Sequence, residues 1–145
     1  MCMSVINVKV DLFNIELIEN MGKILHLNLK KKWFDMIVSG EKKEEYREIT
    51  GYWVQRLLLD GDGNKYSLKE AEKVAQSILY FIRDNKWDIH PDSIIKYDKI
   101  HFRNGYSKQA PVYECNYWAL SVGLGRIELG VPGHPVFIIK LDNND

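Results

Sequence analysis

ILHLNLKKKWFDMIVSGEKKEEYR, residues 24–47, decides how the rest of the chain is read. Its first six residues alternate, with Leu25, Leu27 and Leu29 on one face and His26 and Asn28 on the other. A period of two with one apolar face is a half-buried strand. Trp33, Phe34, Ile37 and Val38 then recur at helical spacing, and Ser39-Gly40 supplies the stop, because glycine takes the left-handed C-terminal position without strain. Lys43 to Ile49 reads as a polar, edge-like strand.

Working outward, Trp53–Leu59 is expected to form a short helix and Asp60–Asn64 a turn. Leu68 to about Arg83 is the clearest helix: Ser67 and Glu70 make a capping box, and Leu68, Ala71, Ala75, Ile78 and Ile82 line one face. A loop through His90-Pro91 comes next. Strands are expected at Lys99–Phe102, Val112–Val122 and Val136–Leu141, separated by turns such as Val131-Pro132-Gly133. Strand, helix, strand, helices and then strands alone is an α+β order, suited to a small mixed, largely antiparallel sheet that can curl into a barrel flanked by helices. Residues 1–22 differ from the rest of the chain: Met1, Met3 and Met21 are each possible starts, and the segment reads as an N-terminal extension, an edge strand or disordered.

Size and composition agree with one soluble globular domain over residues 23–145. The chain has 145 residues, 46% hydrophobic and 28% charged, enough to bury a core without staples. Twenty basic residues balance twenty acidic ones, so no global field draws the protein onto a polyanion or an acidic membrane. Any nucleic-acid binding has to come from a local patch. Cys2 and Cys115 form no C-x-x-C pair and fit a reduced cytoplasm better than secretion. No run approaches the ~18 apolar residues of a membrane span.

Several motifs have plain structural explanations. Asp60-Gly61-Asp62-Gly63-Asn64 resembles the first half of an EF-hand loop, but Lys65 stands where that loop has glycine and Ala71 where it has the bidentate glutamate. His26, His90, His101 and His134 lack the close spacing of a zinc site, and no metal or other cofactor is expected. His26 and His101 read as strand-face residues, packed or solvent-facing. Lys30-Lys31-Lys32 before Trp33 opposes the helix dipole, which favours a functional reason for the lysines. On alternation His101 and Arg103 share a face. Arg103 with Tyr106 suits either a base or phosphate clamp or a loop-fixing role.

The densest chemistry is Gly40-x-Lys42-x-x-Glu45-x-Arg47. Glu45 and Arg47 project from the same strand face. A lysine beside a carboxylate can serve as base or nucleophile, and an arginine suits phosphate or carboxylate. An ion-pair ladder on an edge strand would use the same residues.

This run resembles the signature of the ASCH family, small domains with a barrel related to PUA domains. Lys32 to Ile37 followed by Ser39-Gly40-Glu41-Lys42 resembles the family's N-terminal half. Phe102-Arg103-Asn104-Gly105-Tyr106 and Val136–Leu141 resemble the C-terminal half of a bacterial and phage-associated branch. The resemblance implies a cleft that binds RNA or a modified nucleoside, with Lys42 and Arg47 as ligand contacts, Glu45 orienting them, and Trp33, Arg103, Asn104 and Tyr106 at its border. It also implies an alternative, an amidohydrolase acting on an N-acylated cytidine, in which Lys42 and Glu45 would be the catalytic pair. Glu45 occupies the position where those enzymes carry threonine, and Glu114 or Glu128 would have to supply a separate carboxylate. Other relatives are linked to ribonuclease activity.

Overall fold

The computed structural model describes residues 2–6, 22–131 and 133–142. Among them are strands β1 (Cys2–Ile6), β2 (Ile24–Leu29), β3 (Glu44–Arg47), β4 (Lys99–Asn104), β5 (Val112–Gly123) and β6 (Val136–Leu141), with helices α1 (Lys31–Ser39), α2 (Gly51–Leu57) and α3 (Leu68–Phe81). The α+β class expected from the element order is the class observed. The chain groups into two compact units. Unit one gathers the chain up to Lys43, Lys96–Trp118 and the chain from Leu141; unit two gathers Glu44–Ile95 and Ala119–Lys140.

In unit one, β4 lies between β2 and the first half of β5, and β1 pairs with β5. The β2–β4 pair is parallel, Leu25 opposite Ile100 and Leu27 opposite Phe102. The β4–β5 pair is antiparallel, Phe102 opposite Tyr113 and Ile100 opposite Cys115. The alternation read from Ile24–Leu29 is therefore the alternation that packs, because Leu25, Leu27, Ile100, Phe102, Tyr113 and Cys115 share one buried face. Each such side chain removed from water contributes roughly 1.5–3 kcal/mol. Helix α1 covers this face through Phe34, whose ring meets Tyr113 edge-on at 6.5 Å. It ends at Gly40 (φ +85°), whose N–H donates to the Ile37 carbonyl (3.1 Å).

Residues 7–21, which hold most of the apolar stretch in which an edge strand is expected, lie outside the described residues; a strand is seen at Cys2–Ile6. It pairs antiparallel with β5, Val5 opposite Tyr113 and Ile6 opposite Val112.

In unit two, β6 lies between β5 and β3, and β3 runs antiparallel to β6 with Glu45 opposite Ile139 and Arg47 opposite Phe137. Thr50 caps α2 by accepting from the Trp53 N–H. The capping box of α3 forms: Ser67 Oγ accepts from the Glu70 N–H (3.2 Å) and donates to Glu70 Oε1 (2.7 Å). One expectation fails here, because Leu68 is 51% exposed. The buried stripe of α3 is Ala71, Ala75 and Ile78, and the first turn lies beyond it. Small residues set that contact. A Cβ on Gly51 of α2 would stand 2.5 Å from Glu72 Cγ and 3.0 Å from the Glu72 backbone nitrogen.

Gly125 of unit two is also closely packed, and a Cβ there would stand 2.5 Å from Tyr46 Cε1 and 2.8 Å from Val131 Cγ2. Neither neighbour has a flexible end to withdraw, since both side chains are buried. Gly125→Ala should therefore cost about 1–3 kcal/mol in chemical denaturation, as overpacking does. Gly133→Ala, with nothing within 4 Å, should cost much less and serves as the control.

Candidate functional site

The Gly40–Arg47 run divides between the units, with Lys42 in unit one and Glu45 and Arg47 in unit two. In unit one the turn after α1 brings the chain back on the helix, and the Lys42 N–H donates to the Met36 carbonyl (3.0 Å). Lys42 is only 3% exposed. Its ammonium lies 4.6 Å from the centroid of the Trp33 ring, and that of Lys32 lies at the same distance. Two cations on one indole is a cation–π arrangement, worth more where water is excluded, as at Lys42. The α1 N-terminus has the character expected of the lysine run: Lys30 stands at the N-cap without a side-chain cap, and the first turn has no acidic residue. Lys31 is joined to Asp35 one turn on (2.5 Å).

In unit two, Glu45 and Arg47 share a strand face as alternation requires. The sequence does not anticipate the burial. Glu45, expected on a polar edge strand, is 5% exposed, and its Oε1 accepts from the Tyr46 N–H (2.8 Å). Arg47 lies over Trp53, with its guanidinium carbon 4.9 Å from the ring centroid. Tyr46 points to the other face. Its hydroxyl donates to Glu44 Oε2 (3.0 Å) and accepts from the Arg126 N–H (3.1 Å). His134 lies 2.7 Å from Glu48 in an exposed pair.

The second polar-aromatic segment is in unit one. Arg103 Nη1 donates to the carbonyls of Ser107 (3.2 Å) and Lys108 (2.9 Å), so its guanidinium holds the loop after β4. Asn104 bonds through its backbone N–H to the Pro111 carbonyl, and Tyr106 stands exposed on the loop. Of the two carboxylates that acyl chemistry could use, Glu114 is buried, whereas Glu128 is exposed and paired with Arg126 (2.9 Å). Asp60 Oδ1 accepts from the N–H groups of Asp62 and Asn64 (both 2.9 Å), so this carboxylate organises its own turn. Among the described residues no group of three or more His, Cys, Asp or Glu side chains is placed to hold a metal ion, and no helix is long and apolar enough to cross a membrane.

One cluster goes unnoticed in the sequence. Register places His26 of β2 opposite His101 of β4, and His101 opposite Glu114 of β5. His101 Nε2 lies 2.8 Å from Glu114 Oε2 with both side chains buried, and the His26 and His101 rings meet edge-on at 5.5 Å. The three residues come from distant segments, and only the parallel β2–β4 register aligns them. A histidine on the polar side of each of two strands is the one available signal, and it does not specify pairing.

Comparison with family models, with curated proteins and with solved structures finds no match for this chain.

Burial, and secondarily the Glu44 carboxylate, raise the Tyr46 phenol to about 12, against an opposing hydrogen bond from the Arg126 N–H. An ordinary tyrosine ionises near ~10. The folded state therefore keeps this proton while the unfolded chain loses it, so the contribution is complete below about pH 10 and is lost as pH rises toward about 12. Denaturation of wild type and Tyr46→Phe across that window should show a steeper alkaline decline in wild type. Parallel declines would contradict this assignment.

Proposed function

We propose that this chain is an ASCH-like domain of PUA-like barrel type that binds RNA or a nucleotide-like ligand, with Lys42 and Trp33 of unit one as its contacts. The observation that carries this reading is the buried Lys42 ammonium on the Trp33 ring, with Lys32 on the same indole. An aromatic ring with two cations beside it puts together the residue types of single-strand recognition, positive charge for phosphate and an aromatic for the base. Arg47 over Trp53 repeats the pairing of residue types within a few residues of the same run. The balanced net charge then limits the interaction to a short segment, because no broad field extends the contact along a strand.

The amidohydrolase alternative has one observation in its favour, the burial of Lys42. Glu45 in place of a hydroxyl residue weighs against it. Deacetylation of acetylated cytidine by the purified protein would establish this second reading.

Fluorescence titration with single-stranded RNA and with tRNA should give affinity that falls log-linearly with salt. Trp33→Ala and Lys42→Met, the latter keeping the buried stem while removing the charge, should each weaken binding roughly tenfold or more, as loss of a stacked base or a desolvated cation does. Wild-type affinity in both variants, with circular dichroism showing them folded, would overturn the proposal.

A further inference from the structure

The polar face of the unit-one sheet carries chemistry that neither the core nor the Lys42 run uses. Helix α1 covers the opposite, apolar face through Phe34 and Tyr113. On the polar face the register sets three cross-strand rows: Ile24, Lys99 and Asn116; His26, His101 and Glu114; Asn28, Arg103 and Val112. The middle row is graded, with Glu114 and His101 buried and His26 exposed at the strand that ends this sheet. Burying a polar pair such as His101 and Glu114 carries a desolvation cost that apolar residues of similar volume would not. The pair's presence beside an exposed histidine therefore points to a use other than packing.

The charges around His26 define what that use can be. Across β4 it faces His101 and, one row along, Arg103; beyond them on β5 stands Glu114, already bonded to His101. Lys99 donates to the Asn116 side-chain carbonyl on the remaining row. The row's acid is thus engaged, while its exposed end is imidazole beside guanidinium. Arg103 is held by the Ser107 and Lys108 carbonyls, which fixes its position in advance of any ligand. Imidazole and guanidinium N–H donors on a pre-set frame match the oxygens of a tetrahedral oxyanion.

We propose that the face bearing His26, His101 and Arg103, with Glu114 holding His101, is a binding site for the phosphate group of a small molecule, separate from the Lys42–Trp33 pair. Partial burial of the ring first, then His101 and Arg103, hold the His26 pKa below its ordinary value, so the free site has a neutral imidazole at neutral pH. An incoming dianion reverses the balance and favours the imidazolium. Binding therefore takes up a proton at His26 and strengthens as pH falls. The Glu114 carboxylate engages His101 Nε2, which fixes that ring edge-on to His26.

Calorimetry of the full chain tests this with three probes: inorganic sulfate, whose charge is constant across the range, inorganic phosphate, and adenosine monophosphate. Sulfate should bind roughly tenfold more weakly for each pH unit between the free and bound His26 pKa values, with proton uptake revealed by buffers of different ionisation enthalpy. His26→Gln, at an exposed position, should abolish both the uptake and the pH dependence, and Arg103→Gln should weaken all three probes. Tighter binding of adenosine monophosphate than of phosphate identifies a nucleotide source; equal binding identifies free phosphate. RNA and sulfate affinities are measured on the same wild-type protein: sulfate binding without RNA binding leaves this site standing while the RNA reading fails, and RNA binding without sulfate binding does the reverse. Unaltered sulfate binding in His26→Gln, or no binding to wild type at about pH 6, would overturn the site.

Discussion

Parallel pairing of β2 with β4 is the constraint on which the rest of unit one depends. Parallel neighbours cannot be joined by a hairpin and need a long crossover. Here the crossover runs from Lys30 to Asp98, so α1, β3, α2 and α3 all lie within it. Once Leu25 stands opposite Ile100 and Leu27 opposite Phe102, two consequences arise together. The leucines, Phe102, Tyr113 and Cys115 form one apolar face for α1, and His26, His101 and Glu114 are aligned on the other. A slip of one residue would move each strand's side chains to the opposite face and break both sets apart. The hydrophobic effect thus sets the register, and the register sets the polar chemistry.

Buried charge near the run after α1 illustrates a second principle. Lys42 and Glu45 are side chains that normally remain in water, yet both are almost fully covered. Withdrawal from water costs several kcal/mol per ion unless geometry compensates. For Lys42 part of the compensation is the Trp33 face, and for Glu45 the adjacent Tyr46 N–H. Surface ion pairs such as Lys31–Asp35 and Arg126–Glu128 have no such cost and correspondingly little energetic weight. Burial therefore distinguishes the groups that matter, and the charge pattern alone does not.

Arg103 shows how local accounting narrows a role. Its bonds to the Ser107 and Lys108 carbonyls satisfy backbone oxygens of the loop after β4. A guanidinium has five donors, so fixing a loop and meeting an anion are compatible uses of one side chain. What the loop contributes is rigidity, the property that makes a binding residue effective.

Local pattern by itself determined most of the secondary structure. Ile24–Leu29 and Val136–Leu141 appear where alternation and apolar runs place them, Gly40 ends α1, and Ser67 with Glu70 starts α3. These features are legible because each depends on neighbours a few residues away, through periodicity, capping or a left-handed glycine. Leu68 departs from its expected burial for the complementary reason: helical spacing identifies a stripe, but the neighbour decides how far along the helix the stripe is covered. Only the tertiary structure decided that Glu45 is buried, that Lys32 and Lys42 share Trp33, and that His26, His101 and Glu114 form a row. The row is a product of strand pairing across distant segments, and burial a product of what packs on top. Neither is encoded in spacing along the chain, because both are properties of residues that meet only after it folds.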